Sequence, residues 1–364
     1  DYNVAVGVGA LDLDTKGSRS TAIGYDALST QNFTSATEAN NTALGYNAGK
    51  LITTGVRNVL VGSLSGDALT DADDNVSIGH EALQNDTQGS RSTGVGAYAL
   101  YTQNFSSATD ANNTAVGYKS GNAITTGVQN VFIGNHAGDS LTDADYNVAI
   151  GYAALDADTL GSRSVAIGYN ALGTQNFTSA TETLNTAVGF GAGASLTTGD
   201  RNVLIGGEAA ATGTVLTTGR KNVIIGNATN AGLADRQDSI IIGDSVQGTG
   251  NTQFTFGSGT TDSNIALGAT SITAPSDERY KEEITTSTAG LSFINDLRPV
   301  TFKWKKEKDV PSTHASYVAD SDTRVMNRGE KVQHGFIAQE VKTVIDNHSE
   351  IKDGFEMWME DDVD

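Results

Sequence analysis

Short apolar segments closed by glycine recur along the first two thirds of the chain. Each reads Asn or Ser, a β-branched residue, any residue, an aliphatic residue and Gly, and they begin at residues 3, 20, 41, 58, 75, 92, 113, 130, 147, 164, 185, 202, 222 and 239. The spacings of 17, 21, 17 and 17 residues add up to a larger repeating unit of 72 residues. Segments this short, rich in β-branched residues and ending in a turn residue, are typical of strands.

A fixed period of this kind predicts a solenoid, in which stacked coils bury what no single coil can bury. A weaker apolar stretch follows each segment, as at residues 25–28 and 123–125, so we expect two short strands per coil. Alternating positions such as Val4 and Val6 are predicted to face a thin core, with small residues such as Ala22 packed against a neighbouring sheet. The fold class is therefore mostly β, a parallel β-roll or β-solenoid.

The recurrent Asn has two interpretations. It is either an ordinary turn residue chosen for local backbone hydrogen bonds, or one member of a column of side-chain amides stacked from coil to coil. We favour the column, because the same position recurs in so many coils.

Composition divides the chain near residue 275. Of 42 glycines, 38 lie before residue 276, whereas all three prolines and both tryptophans lie at residue 275 or beyond. We expect a solenoid shaft over 1–243, a β-rich junction over 244–275 and a small α+β domain over 276–364. Within the last region, Leu291, Phe293, Ile294 and Leu297 have helical spacing and are predicted to enter a core, and residues 300–304 are predicted to form a strand.

Charge and cysteine content limit the classes of partner and site that are expected. The net charge is −20, and both parts are acidic, so there is no basic face for a phosphate backbone and nucleic acid is not an expected partner. The absence of cysteine excludes disulfides and thiolate metal sites. No apolar run approaches the roughly 20 residues of a membrane span. No cofactor is expected.

The repeats NVAVG, NTALG and NVAIG resemble the head repeats of trimeric autotransporter adhesins, which form a left-handed parallel β-roll. Three further motifs, SDERYKEEI (276–284), LSFINDLRPVTFKWK (291–305) and HGFIAQEV (334–341), closely resemble the intramolecular chaperone domain of phage tailspikes and endosialidases, the S74 peptidase family. This second resemblance implies that three chains assemble into a homotrimer and that the domain then cleaves itself off.

The family's cut precedes the serine of its Ser-Asp motif, which is the Pro275–Ser276 bond here. The resemblance implies that Ser276 is the nucleophile and Lys281 the base. A desolvated lysine of lowered pKa is able to take the proton of a serine hydroxyl. The alternative is that Ser276 and Asp277 only cap a helix.

Two further features of the domain follow from the resemblance. His334, Gln339 and Glu340 belong to its third motif and are expected to make structural contacts rather than to catalyse. The chain ends at FEMWMEDDVD, where the family usually continues into a helical segment, so the domain is expected to be truncated.

Three polar loops carry one aromatic residue each, Phe33, Phe105 and Phe177. These rings suit contact with a sugar or a surface, or packing against the next chain. Asp-rich turns at 70–74 and 142–145 could ligate calcium, but the EF-hand order is missing. His80 and His136 have no partner at metal spacing, so no metal site is assigned.

Together these features predict a structural, receptor-binding tail fibre of a phage virion, with single-turnover autoproteolysis as its only enzymatic activity. Its expected partners are copies of itself and a host cell-surface receptor or glycan. Two alternatives stay open. One is a bacterial surface adhesin of the same architecture, and the other is a tailspike that degrades polysaccharide, although no insertion is long enough for a catalytic domain with the carboxylate pair of a glycosidase.

Overall fold

A computed structural model describes residues 1–259, 261–267, 290–312, 317–325 and 332–348. The chain divides into two compact units, Asp1–Pro275 and Ser276–Asp364. The first is a β-solenoid, and the described part of the second is a small α+β region. Among the described residues, no helix has the length and apolar character needed to cross a membrane.

One 16-stranded sheet, the main sheet, runs the length of the solenoid, and each strand pairs with the equivalent strand of the next coil. Val148, for example, lies opposite Val165. All pairs are parallel except the last, which forms a hairpin. The strands are Val4–Val6, Thr21–Ile23, Thr42–Leu44, Val59–Val61, Val76–Ile78, Thr93–Val95, Thr114–Val116, Val131–Ile133, Val148–Ile150, Val165–Ile167, Thr186–Val188, Val203–Ile205, Val223–Ile225, Ile240–Asp244, Gln253–Ser258 and Thr261–Ala266.

The 21-residue coils carry longer loops, which form small parallel pairs of their own. Each pair joins a Gly-Ser segment to a segment that begins with Thr, and the pairs recur every 72 residues. They are Gly17–Ser18 with Thr37–Glu38, Gly89–Ser90 with Thr109–Asp110, and Gly161–Ser162 with Thr181–Glu182.

The core lies on the opposite side of the strands from the one that we predicted. In each three-residue strand the middle side chain points inward, so Ala149 and Phe132 are fully buried, whereas Ile133 is 39% exposed. Successive side chains of a strand point to opposite faces, so the middle residue, which is small at Ala149 and large at Phe132, enters the core while the two residues beside it face outward. The prediction that Val4 and Val6 face the core is therefore wrong.

The second side of each coil is not a β-strand, contrary to our expectation. At residues 25–28 the backbone alternates into the left-handed region, with φ of 52° at Asp26 and 49° at Leu28. Coil-to-coil hydrogen bonds persist nonetheless, since Leu28 N–H donates to the Ala48 carbonyl at 3.1 Å. A left-handed non-glycine residue costs free energy, which is offset here by full burial of Leu28.

The glycine that closes each strand is required by both backbone conformation and space. At Gly134 the φ angle is +132°, and a Cβ atom there would lie 2.4 Å from the carbonyl oxygen of Gly151. The equivalent glycine of every coil stacks on the next, so the backbones approach more closely than any side chain allows.

The described part of the second unit contains two helices, α1 (Leu291–Asp296) and α2 (Ala338–Asn347), and a 3-10 turn at Glu307–Asp309. Strand Val300–Phe302 pairs antiparallel with Gln333–Gly335. The predicted helix and strand are thus present. Within the described chain only Phe293 of α1 is buried, whereas Leu291 and Ile294 are exposed, because one face of a six-residue helix presents few positions to a core.

Candidate functional site

A column of asparagine amides runs through the solenoid, as the sequence predicted. The side-chain oxygen of each member accepts a hydrogen bond from the backbone N–H of the equivalent residue in the next coil, at 2.8–3.2 Å. The amide nitrogen donates to a carbonyl 14 residues later, as Asn130 does to Ala144 at 2.8 Å. These buried groups satisfy one another, which a buried polar column requires.

At three of the four positions where Ser replaces Asn in the column, Ser20, Ser92 and Ser164, a glutamine from the long loop completes it. Gln103 receives a hydrogen bond from Asn113 at 2.8 Å and donates to Ser92 and Asp86. Burial raises the pKa of the Asp86 carboxyl, against the opposing effect of the hydrogen bond from Gln103. The same arrangement occurs around Gln31 and Gln175. The Gln-Asn-Phe motif therefore serves the interior of the solenoid.

The three phenylalanines of these loops are not surface rings. Phe33, Phe105 and Phe177 are only 5%, 6% and 8% exposed. The backbone N–H of Phe105 donates to Asp86, and this bond draws the loop down onto the coil beneath it. The interpretation of these rings as surface contacts is corrected accordingly, since they expose too little area to a partner.

A different set of aromatic rings is exposed, and the sequence analysis did not identify it. Seven rings follow one another along the solenoid with successive centroids 5.1–6.3 Å apart, the first four contacts edge-to-face and the last two stacked, and we call them the aromatic row: His80, Tyr98, Tyr118, His136, Tyr152, Tyr169 and Phe190. Each follows the strand-closing glycine by one or two residues, a regularity that the sequence does carry. Shallow depressions lie beside Tyr98 and Tyr118, and beside Tyr169 and Phe190.

The Asp-rich turns use their carboxylates to join neighbouring coils. Asp73 accepts a hydrogen bond from the Val56 N–H at 2.8 Å, and Asp145 accepts the equivalent bond from Val128. Arg57 pairs with Asp74 and holds the pKa of that carboxyl below its usual range.

His136 does have partners that local spacing did not reveal. Its Nδ1 lies 2.8 Å from the Asp139 carboxylate, and one ligand atom from each of His136, Asp139 and Asp156 lies within 4.8 Å of the others. Asp156 belongs to the next coil. Burial, with repulsion from Asp139 as the second cause, raises the pKa of the Asp156 carboxyl.

The predicted cleavage residues Pro275, Ser276, Asp277 and Lys281 lie outside the described residues. Of the third motif, His334 lies exposed in strand Gln333–Gly335, opposite Thr301. Gln339 lies exposed in the first turn of α2, where its backbone carbonyl accepts a hydrogen bond from Thr343.

Glu340 joins the second motif to the third. Both carboxylate oxygens accept hydrogen bonds from the Arg298 guanidinium, one of them at 2.9 Å, and Arg298 lowers the pKa of this carboxyl. Two parallel bonds of this kind fix orientation as well as distance. A further contact between the helices joins His348 to Asp296 at 2.9 Å. Glu340 thus occupies a structural position within the unit.

The comparison with protein families gives one match. The family described as chaperone of endosialidase, Peptidase S74, matches residues 276–350. Neither the curated proteins nor the solved structures include a significant match. The chain thus joins a β-solenoid shaft to a C-terminal segment of the endosialidase chaperone type, a combination that fits a tail fibre or an adhesin-like shaft.

Proposed function

We propose that this chain is a structural, host-receptor-binding tail fibre that acts as a homotrimer. Its C-terminal domain guides trimer folding and then cleaves the Pro275–Ser276 bond. The observation that carries the proposal is the order of the two parts, because the family match begins at Ser276, directly after a solenoid that ends in a hairpin.

The outward face of the main sheet supports the homotrimer. We define it by the first and third residues of each strand; in the three-residue strands the third residue is always aliphatic, whereas the first is Val or Thr. Leu44, Ile78, Val116 and Ile205 are among its exposed members. An apolar surface that continues from coil to coil exceeds what a monomer normally exposes and is typical of an interface. Copies of the same chain bring the same face at the same coil spacing, so a closed ring of three buries it on every chain.

The aromatic row supports receptor binding. Tyr152, Tyr169 and Phe190 are more than half exposed and lie side by side, and aromatic rings combine apolar faces with polar edges. Hydroxyl, amide and carboxylate groups lie beside them at Asn170, Ser195 and Glu208. This mixture suits a glycan, whose pyranose rings present apolar faces between polar hydroxyls.

The glycan proposal predicts a loss of binding on truncation of a ring. Tyr169→Ala removes a stacking surface, and we expect it to weaken binding of the fibre to host cells or their purified surface glycan by about tenfold, equivalent to about 1.4 kcal/mol. Surface plasmon resonance measures the change. Phe105→Leu, a change in a buried ring, is the control and should bind normally. If the wild type and Tyr169→Ala bind equally well, the aromatic row is not part of the receptor site.

Cleavage is proposed to proceed without an external enzyme. The Ser276 Oγ attacks the Pro275 carbonyl carbon while Lys281 accepts the hydroxyl proton, and the C–N bond breaks as Ser276 becomes a free amine. The resulting ester is then hydrolysed by water, which leaves a carboxylate on Pro275 and restores the Ser276 hydroxyl. These steps balance without any prior rotation or strain of the Pro275–Ser276 peptide bond.

The test follows the C-terminal fragment. Wild-type full-length protein should release a fragment that begins with Ser276, at a rate independent of protein concentration once trimers exist. Ser276→Ala and Lys281→Ala should each leave an intact, trimeric chain, whereas Ser271→Ala should cleave normally. N-terminal sequencing and mass spectrometry read the result. If the wild-type protein folds but is not cleaved, Ser276 is only a helix cap.

A further inference from the structure

The imidazole of His136 belongs to the aromatic row, but its contact with the carboxylates of Asp139 and Asp156 has no part in the proposed function and does not depend on it. His136 and Asp139 lie in one coil, and Asp156 comes from the next. The His136 ring is held between Tyr118 and Tyr152, with centroids at 5.6 and 6.3 Å. Its Nδ1 lies 2.8 Å from the Asp139 carboxylate. The neighbouring rings and this contact together fix where the imidazole nitrogen points.

A separate observation indicates that the cluster lacks a component. The second oxygen of Asp139, Oδ1, is buried and has no hydrogen-bond partner among the described residues. A buried carboxylate oxygen without a donor is costly. Asp156 brings a second negative charge to the same place. Both problems are relieved by one cation that Asp139 binds through both of its oxygens, because the ion gives Oδ1 a partner and neutralises the two carboxylates.

The donor set selects the type of cation. One imidazole and two carboxylates are ordinary ligands of Zn²⁺, with tetrahedral bonds of about 2.0–2.2 Å that place adjacent ligand atoms about 3.3–3.6 Å apart. The three ligand atoms lie within 4.8 Å of one another, so small side-chain movements that open the 2.8 Å hydrogen bond bring them to that spacing. Calcium and magnesium prefer an all-oxygen environment, so the nitrogen ligand argues against them.

The internal repeat shows that the cluster is particular to one place. The equivalent positions are Leu64, Asp67 and Gln84 in the preceding 72-residue unit, and Glu208, Ala211 and Ala231 after it, where one coil is three residues longer. The surrounding fold is the same, since His136, Leu64 and Glu208 all have a left-handed backbone, at φ 58°, 60° and 52°. The fold therefore does not require these ligands.

We propose that His136, Asp139 and Asp156 bind one Zn²⁺ ion per chain and so clip two successive coils together. The ion takes the place of the proton between His136 Nδ1 and Asp139, and the imidazole then carries its proton on Nε2. Water fills the remaining coordination position. Because the ion binds the folded coils and not the unfolded chain, it also raises thermal stability.

The first experiment is a Zn²⁺ titration of the untagged full-length protein by isothermal calorimetry. We expect one saturable site per chain. His136→Leu and Asp156→Gln install the residues that the preceding unit already carries, so the fold accommodates both. Each should raise the Kd at least 10- to 100-fold, the loss that even an indirect ligand support produces. His80→Leu, which removes the other solenoid histidine, should leave binding unchanged.

The second experiment builds a copy of the site in the preceding 72-residue unit. Leu64→His with Gln84→Asp reproduces the three ligands around Asp67, and Zn²⁺ stoichiometry should rise from one to two per chain. Co²⁺ in place of Zn²⁺ should give visible d–d absorption bands that His136→Leu abolishes. The proposal is overturned if the wild type shows no saturable uptake, or if His136→Leu binds Zn²⁺ as the wild type does. A stoichiometry that stays at one in the double variant would show that these three positions do not make the site.

Discussion

At the scale of single residues, one polar position carries much of the solenoid's order. The column asparagine donates and accepts in two directions at once, so each coil fixes the register of its neighbour through Asn130 and its equivalents. The sequence allowed this prediction because the same residue recurred at a constant place in the repeat. The glutamine substitutes were not predicted, because Gln103 reaches the column from a loop 11 residues away from Ser92.

Removing one member of the column should cost more than removing a surface amide. Asn130→Ala leaves the Ala144 carbonyl and the Asn147 N–H buried without their partners, at about 1–3 kcal/mol for each group. We expect a loss of about 2–4 kcal/mol per chain, measured as a fall in the unfolding temperature. The exposed Asn135 is the matched position, and Asn135→Ala should have little effect. Equal effects of the two changes would contradict a structural role for the column.

At the scale of elements, the strands and their closing glycines were predictable, but the direction of the side chains was not. A three-residue strand such as Val148–Ile150 is apolar at every position, so it lacks the polar-apolar contrast that sets which face is buried. Left-handed turns built from leucine and aspartate, as at residues 25–28, have no sequence signature comparable to glycine. The His136 cluster was missed for a related reason, since it joins residues 20 positions apart that only coil stacking brings together.

Replacing two glycines of the repeat, Gly134 and Gly94, with alanine should have opposite effects on stability. Gly134→Ala places a Cβ atom 2.4 Å from the Gly151 oxygen at a φ of +132°, and we expect a loss of about 2–3 kcal/mol. Gly94 occupies the inward position that is Ala22 or Ala166 in the other units, with its nearest neighbour atom at 3.3 Å. Gly94→Ala should be neutral or stabilise by up to about 1 kcal/mol. Thermal unfolding of the two variants checks both signs, and a harmless Gly134→Ala would contradict the close stacking.

At the scale of the whole molecule, the solenoid leaves one apolar face for association. We predicted the residues of this face to lie in the core, and only the homotrimer was implied by a resemblance; the structure locates these residues on the outside of the main sheet. The cleavage residues rest on the family match, since the sequence pattern of a serine five residues before a lysine is weak by itself.

The homotrimer prediction requires the outward face of the main sheet to be buried between chains. Ile133→Asp puts an unpaired charge into the proposed interface, which costs about 3–5 kcal/mol per buried charge, so we expect monomers. Ser106→Asp, in an exposed loop outside the main sheet, should stay trimeric. Light scattering gives the mass, and the wild-type shaft should migrate as an SDS-resistant trimer until boiled. A monomeric wild type would exclude the proposed assembly.

The 72-residue unit sets a step by which the length of the solenoid can change. Four coils at about 4.8 Å each make one unit about 19 Å long, and the bonding pattern at its two ends is the same, because Asn75 and Asn147 accept from their successors alike. A gene duplication or deletion of one whole unit therefore joins compatible ends and changes reach without altering either terminus. Insertions or deletions that do not comprise whole coils break the column, which continues even through the 20-residue coil between Asn202 and Asn222. Evolution can accordingly adjust how far such a fibre extends only in discrete steps.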